Sequence, residues 1–254
     1  MLSKLIIALE KAFCKLRRKR ISMQIFKKFK GVIQYGSFEG MILTSDTNTS
    51  TGMLGSKILG FYENVVTDFI FKNGPYDNCI NLGSADGYFA IGLLMKKLTK
   101  KSICFEISST GRESIIRNAS VNNCEDSITI FGEADKLFFE KVNSTISRDE
   151  KNLIICDIEG GEFDILNNKT FENFTNCTWV IEIHDRIQDL SLTNREELIK
   201  NIPENYSYEI LKAQPICWPE IEILEDLSDN DRALLFSEGR RKIGEWLVIK
   251  PNAQ

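Results

Sequence analysis

The chain has 254 residues, of which 43% are hydrophobic and 27% are charged, a composition typical of a globular protein with a buried core. No apolar run reaches the ~20 residues of a membrane-spanning helix, and the run at residues 5–9 is too short for a secretory signal. Residues 1–30 contain ten Lys and Arg and one acid. Since the whole chain has 32 basic and 36 acidic residues, this segment has a net charge of +9 and the remainder −13. Such an acidic body argues against a nucleic-acid-binding protein.

The N-terminal segment has apolar residues at helical spacing, lysines at other positions, and then the basic run at 17–20. This pattern predicts a basic amphipathic helical segment over residues 1–30. A helical and loop extension over 31–75 follows, which we expect to cover a site in the domain after it. One interpretation of the helix is peripheral contact of residues 1–20 with the inner face of a membrane. The alternative is that it packs on its own domain or on a partner.

The seven cysteines are an odd number without Cys-x-x-Cys spacing. Cys79, Cys104, Cys156 and Cys177 lie in or beside apolar runs typical of strands. We therefore expect reduced, buried thiols and a cytoplasmic protein.

Short apolar runs recur from residue 79 at intervals of about 25 residues, with helix-like segments between several of them. A crossover of that length joins parallel strands. Two further strand-like runs, 206–211 and 245–250, follow a helical pattern at 194–202. The pattern predicts an α/β fold in which a mostly parallel sheet has helices on both faces and an antiparallel last strand. The first five runs end at Leu82, Glu106, Phe131, Asp157 and His184.

The stretch "INLGSADGYFAIGLLMKK", residues 80–97, joins the first run to a helical pattern that begins near Tyr88. Ligands of open parallel sheets bind beyond the carboxyl ends of strands, and Gly83 and Gly87 would let a ligand approach the backbone there. Their Gly-x-x-x-Gly spacing differs from the loop that seats a dinucleotide pyrophosphate, which disfavours a nicotinamide-dependent oxidoreductase. It fits a cofactor without phosphates, such as S-adenosylmethionine.

Acids at the ends of the next two runs fit the same cofactor. Glu106 ends the second run, where a carboxylate can accept hydrogen bonds from both hydroxyls of a ribose. The alternative is that Glu106 only caps the following helix. Glu133, after the third run, is a candidate partner of the adenine amino group, although a surface turn explains it nearly as well.

Together, "INLGSADG", "FEIS" and "CDIEGGE" resemble motifs of the FkbM-type family of S-adenosylmethionine-dependent methyltransferases, over roughly residues 56–251. The resemblance implies a Rossmann-like class I methyltransferase fold with a seven-stranded sheet, and a methyltransferase domain at 76–254. It also implies that the loop after the first strand, including Ser84, binds the cofactor. The chain departs from the family at Asn81, where an acid that helps to hold the methionine amino group is more usual. Asp86 in the same loop is a candidate to compensate.

Methyl transfer to a hydroxyl requires a base that removes its proton, or a metal that activates it. Asp157, Glu182 and His184 lie at the ends of neighbouring runs, and His184 is the only histidine, with an ordinary pKa that suits a general base. We expect these three to be catalytic, Asp157 to bind the cofactor as well, and no metal to be required. Mg²⁺ at Asp157 and Glu182 is the alternative. Glu159 and Glu162 either serve the site or only stabilise a helix start.

The fourth run lacks the Asn/Asp-Pro-Pro-aromatic sequence typical of enzymes that methylate base amino groups. The resemblance implies O-methylation of a sugar hydroxyl in a glycan, a nucleotide sugar or a related small metabolite, without a nucleic-acid partner. The alternative is a catalytically degenerate methyltransferase fold that acts as a binding or scaffold module in glycan biosynthesis. Asn81 is the best support for that alternative.

Overall fold

The computed structural model describes residues 2–45, 51–147, 149–174, 176–184, 192–213, 220–237 and 244–252. Its strands follow the predicted apolar runs. In chain order they are β1 Asn78–Leu82, β2 Lys101–Phe105, β3 Ile128–Phe131, β4 Asn152–Cys156, β5 Cys177–Glu182, β6 Tyr206–Lys212 and β7 Glu245–Pro251. They form one seven-stranded sheet in the order β3-β2-β1-β4-β5-β7-β6.

Strand pairing in the sheet confirms the predicted fold class. β1 pairs in parallel with β2 on one side and with β4 on the other, so the strand order reverses at β1. β7 pairs antiparallel with both β5 and β6. In a doubly wound sheet the reversal opens a crevice beyond the carboxyl ends of the strands, and the predicted cofactor loop lies at that point.

Eleven α-helices occur in the described residues. They are α1 Leu2–Phe29, α2 Leu54–Ile58, α3 Asn64–Asn73, α4 Tyr88–Met95, α5 Ser109–Val121, α6 Phe138–Asn143, α7 Glu162–Ile165, α8 Asn168–Glu172, α9 Leu192–Lys200, α10 Glu222–Glu225 and α11 Asp229–Phe236. The sequence pattern does not predict α10 and α11, which are short and rich in acids. Within the described residues, no helix combines the length and the apolar composition that crossing a membrane requires.

Alternating side chains of the strands contribute to two hydrophobic cores, one on each face of the sheet. Cys79, Leu153 and Ile155 belong to the first core, which α1 to α4 cover together with α10 and α11. Ile80 and Ile154 belong to the second core, which α6 to α9 cover. Because both faces are buried, the central strands are continuous apolar runs instead of alternating ones.

Six of the seven cysteines lie in the described residues, and all six are free thiols. Five of them are buried, and only Cys14 is exposed. Burial raises the pKa of Cys104 to about 12, so this thiol stays protonated at neutral pH. The buried cysteines therefore act as small apolar side chains, as predicted.

Candidate active site at the carboxyl ends of the strands

A cavity of about 510 Å³ opens beyond the carboxyl ends of the central strands, and its size is typical of small-molecule sites. Its wall comes from the segments that follow β1, β2, β3 and β4. Four of the predicted cofactor residues share this wall: Gly83, Glu106, Glu133 and Asp157. None of the described residues of the extension 31–75 is part of it. That segment packs instead in the core on the α4 side of the sheet.

Gly83 allows a close approach of the chain to itself. Its φ is +81°, and a Cβ atom would lie 1.8 Å from the main-chain oxygen of Asp157. The two loops are also joined by a hydrogen bond of 2.9 Å from Asp157 N to Leu82 O. Gly87, with φ +80°, precedes α4, and a Cβ atom there would lie 2.9 Å from Ile91 Cδ1. Gly83 thus lets the loops after β1 and β4 touch, whereas Gly87 packs against α4.

Glu106 lines the cavity with a carboxylate that the backbone holds in place. Its Oε2 accepts a hydrogen bond from Ala85 N and its Oε1 accepts one from Ser108 N, both at 2.8 Å. Ala85 has φ +49°, a left-handed conformation that few non-glycine residues adopt. Gly111 leaves room for the side chain, because a Cβ atom there would lie 2.7 Å from Glu106 Cγ. Each carboxylate oxygen keeps a second lone pair that can accept a ligand hydroxyl.

The remaining predicted cofactor residues, Asn81, Ser84, Asp86 and Gly87, do not line the cavity. Ser84 Oγ donates a hydrogen bond of 2.6 Å to Asn81 O, and both residues are buried. Asp86 accepts two hydrogen bonds from Lys57 Nζ in a buried ion pair, at 2.7 Å and 2.9 Å. The same ammonium lies 4.9 Å and 5.1 Å from the centroids of two tyrosine rings. Asp86 therefore balances the charge of Lys57 and leaves the missing acid at Asn81 without a substitute in this loop.

The predicted catalytic residues come together around one imidazole. His184 lies two residues after β5, and 5% of its side chain is exposed. Its Nε2 atom is 3.6 Å from Asp157 Oδ1 and 3.7 Å from Glu182 Oε1. Glu159, whose side chain is 79% exposed, places Oε2 3.7 Å from the same nitrogen. Asp157 and Glu159 belong to the cavity wall, and the buried pair His184 and Glu182 lies next to them. These four residues are called the His184 cluster below.

Glu162 decides how this histidine is oriented. It is fully buried at the start of α7, and its Oε1 accepts a hydrogen bond of 2.9 Å from His184 N and lies 3.1 Å from His184 Nδ1. Its Oε2 accepts a hydrogen bond of 2.8 Å from Gly160 N. Because a carboxylate only accepts hydrogen bonds, this contact assigns the proton of the neutral imidazole to Nδ1. Nε2 is then the free base and points at Asp157. The sequence signal for Glu162 is the "CDIEGGE" motif, which left its role open.

Burial and charge act on His184 in opposite directions. Burial lowers the pKa of the imidazole, whereas the hydrogen bond to Glu162 and the charges of Glu162, Asp157 and Glu159 raise it. The net result is a pKa above the usual 6.5. The imidazole is therefore a stronger base than a free histidine, and above this raised pKa it is mostly in the neutral form that can take a proton from a substrate.

The His184 cluster also has a donor set that suits a divalent cation. One ligand atom from each of Asp157, Glu182 and His184 lies within 4.8 Å of the other two, the one such group among the described residues. Carboxylates together with an imidazole suit Mn²⁺, Fe²⁺ or Zn²⁺ better than Mg²⁺, which prefers oxygen ligands. Glu162 would then orient the histidine ligand through Nδ1, as carboxylates do in many metal sites.

No protein-family model matches the chain, and no curated protein matches its sequence. An O-methyltransferase from Bacillus cereus in complex with SAH matches the structure with a TM-score of 0.50 and 10% identity, over 74% of this chain and 79% of that one. A putative tRNA methyltransferase from Streptococcus pneumoniae in complex with S-adenosyl-L-methionine has a TM-score of 0.45 and 15% identity, over 74% and 72% of the two chains. An rRNA methylase from Streptococcus thermophilus has a TM-score of 0.47 and 11% identity, over 75% and 96%.

At these identities the likeness establishes the fold, and the Bacillus cereus enzyme carries that conclusion. The chain has the Rossmann-like fold of S-adenosylmethionine-dependent methyltransferases, as the resemblance implies. Fold alone does not define an acceptor, since one fold serves many reactions. The FkbM resemblance within this class rests on the sequence motifs.

Proposed function

We propose that the protein is an S-adenosylmethionine-dependent O-methyltransferase of the FkbM type, acting on a sugar hydroxyl in a glycan, a nucleotide sugar or a related small metabolite. One observation carries the proposal: a single cavity is lined both by Glu106, the candidate ribose acceptor, and by Asp157 of the His184 cluster. A cofactor held at Glu106 would share its cavity with groups that can take up a proton. The motifs "INLGSADG", "FEIS" and "CDIEGGE" support the choice of family.

In the proposed reaction the acceptor oxygen attacks the sulfonium methyl group. A carbon–oxygen bond forms, and the sulfur–methyl bond breaks with its electron pair left on sulfur. The hydroxyl proton passes to His184 Nε2, either directly or through Asp157, which lines the cavity 3.6 Å from this nitrogen. Glu162 keeps Nε2 available by holding Nδ1. General-base assistance of this kind contributes about 10²–10⁴-fold to the rate.

The charge of the cavity wall supports a neutral, hydroxyl-rich acceptor. The described lining residues include six acids and one lysine: Glu106, Glu133, Asp135, Asp157, Glu159, Asp164 and Lys136. Sugar hydroxyls can donate hydrogen bonds to carboxylates, whereas the phosphates of a nucleic acid would be repelled by them. Among the three acceptor classes, this wall favours an uncharged glycan or metabolite over a nucleotide sugar.

The donor set of the His184 cluster also supports a metal-assisted version of the same reaction. Asp157, Glu182 and His184 would hold the cation, which would supply a Lewis acid for the acceptor hydroxyl. We propose the metal-free version, because a cluster that contains an oriented base can take up the proton without a cation. Full turnover after dialysis against EDTA supports it. Loss of turnover that Mn²⁺ or Mg²⁺ restores supports the metal-assisted version.

Calorimetric titration with S-adenosylhomocysteine tests the cofactor assignment, with NAD as the negative control. We expect micromolar affinity, about −8 kcal/mol, and no heat from NAD. Glu106→Ala should weaken S-adenosylhomocysteine binding at least about tenfold, since it removes the charged acceptor of two hydroxyls. Glu113→Ala is the matched control, because this acid of α5 has an exposed side chain and does not line the cavity.

The second candidate is a degenerate methyltransferase fold that binds or organises other proteins of glycan biosynthesis. Asn81, in place of an acid, is the observation that favours it. A folded protein that binds no S-adenosylhomocysteine would support this candidate and overturn the enzyme. Turnover of an acceptor that is lost in His184→Ala, with cofactor affinity unchanged, would establish the enzyme.

A further inference from the structure

The two halves of α1 have different surroundings. From residue 17 onward the helix packs on the protein: Ile21 and Ile25 are 4% and 2% exposed, and Arg17 forms an ion pair of 2.5 Å with Asp231. Residues 5–16, in contrast, are exposed at every position. Four of these residues have large apolar side chains that are more than half exposed: Leu5 57%, Leu9 62%, Phe13 62% and Leu16 68%.

The four residues form an apolar stripe, because they follow one another at spacings of four, four and three along the helix. Four residues after Leu16, the same face of the helix carries Arg20, so the apolar stripe ends at Leu16. The buried seam at Ile21 and Ile25 lies on another face, and continued towards the N-terminus in steps of seven residues it reaches Cys14 and Ile7, which are exposed. The exposed stripe is therefore not an extension of the seam that packs on this protein's own core. It lies on another face of the N-terminal half of α1, and at its C-terminal end Phe13 and Leu16 border a groove that Ile21 also lines.

The charges around the apolar stripe are almost all positive. Lys11, Lys15 and Lys19 follow one another at spacings of four on a different face of the helix, and all three are exposed. Arg17 and Arg18 are bound to the protein itself, through Asp231 and the main-chain oxygen of Ser237. The basic run at 17–20 is thus partly structural, and much of the positive charge presented to a partner comes from the lysine row.

We propose that the N-terminal half of α1 binds an anionic lipid surface, with the apolar stripe in the boundary between headgroups and acyl chains. An amphipathic helix with lysines outside an apolar stripe has the chemistry of such interfacial binding. A second copy of this segment is a poorer partner, since residues 1–30 have a net charge of +9 and two such segments would repel each other. This inference is independent of the proposed methyl transfer.

Co-sedimentation of the full chain with vesicles tests the proposal. We expect binding to vesicles of phosphatidylglycerol and phosphatidylcholine in equal parts, and little binding to phosphatidylcholine alone. The double variant Leu9→Glu/Phe13→Glu should weaken partitioning at least about tenfold. The matched control is Ile116→Glu/Tyr208→Glu, which changes two apolar residues that are 56% and 51% exposed elsewhere on the protein and should leave partitioning unchanged.

Three results would overturn the proposal. The first is no binding to either vesicle, and the second is equal binding to both, which would remove the role of anionic lipid. The third is a dimer, seen by light scattering, that the stripe variant dissociates, because the stripe would then bind a second copy. Titration of the same two double variants with S-adenosylhomocysteine distinguishes this proposal from the proposed function. None of the four substituted residues lines the cavity, so the affinity for the cofactor should be unchanged.

Discussion

The two sides of the cavity are held in place by different means. On the Glu106 side the contacts come mainly from the main chain. Gly83 lies against the loop after β4, and two backbone N–H groups donate hydrogen bonds to the Glu106 carboxylate. On the His184 side, charged side chains orient one another around an imidazole. The close packing at Gly83 is a steric contact without a titrating group, whereas the imidazole titrates. Cofactor binding and proton uptake should therefore respond to different perturbations.

The largest expected effect comes from breaking the main-chain contact. Gly83→Ala would place a Cβ atom 1.8 Å from Asp157 O at a φ of +81°, so we expect a loss of at least about 4 kcal/mol in the free energy of unfolding. Urea denaturation followed by circular dichroism measures it. Gly132→Ala is the control, since nothing lies within 4 Å of its Cβ position. Equal stability of the two variants would contradict the assigned role of Gly83.

The ion pair that anchors the cofactor loop should have the next largest effect. Lys57→Met leaves the buried carboxylate of Asp86 without its counter-charge, which should cost about 3 kcal/mol of unfolding free energy. Lys100→Met is the control, because Lys100 is 79% exposed and a surface ion pair such as the one with Asp77 contributes little to stability. The same urea experiment compares them. A recovery of stability in Lys57→Met/Asp86→Asn would confirm that the unpaired charge is the cause.

Substitutions on the His184 side should lower the catalytic rate and leave the affinity for the cofactor unchanged. Glu162→Gln keeps an acceptor for His184 N but removes the largest of the three carboxylate contributions that raise the pKa of the imidazole. We expect kcat to fall about tenfold or more, with a shift of its pH midpoint to lower pH and unchanged affinity for S-adenosylhomocysteine. Asp164→Asn, which removes an exposed acid from the same wall, should change kcat little. An unaltered kcat in Glu162→Gln would show that Glu162 does not position His184 for catalysis.

The smallest expected effect is on stability as a function of pH. Because the pKa of His184 is raised on folding, its protonation stabilises the folded state fully below a pH of about 6.5. That contribution is lost as the pH rises through the higher pKa of the folded state. The stability difference between the wild type and His184→Gln should therefore shrink across this window. Urea denaturation at a series of pH values measures it, and a difference that stays constant would show that folding does not raise this pKa.

Elements buried on both faces were predictable from local pattern. The five inner strands appear as largely apolar runs, because a strand covered by helices on both sides has no polar face, whereas the edge strands β3 and β6 are partly exposed. The Gly-rich loop and the acids at strand ends were predictable for a related reason, since the carboxyl ends of parallel strands meet at one edge of the sheet. The helix α11 was not predictable from local pattern, because its eight residues include two acids and one arginine and it packs against α1 from the other end of the chain.

The choice among neighbouring acids depended on the tertiary structure. Glu106 and Asp157 were identified from their positions after strands, and both line the cavity. Asp86 lies in the same predicted loop but pairs with Lys57, 29 residues away in the chain. Glu162 and His184 are 22 residues apart, and their contact orients the only histidine. A local pattern shows which residues have a charge. Only the packing of distant elements decides which charges are buried, which are paired, and which remain for a ligand.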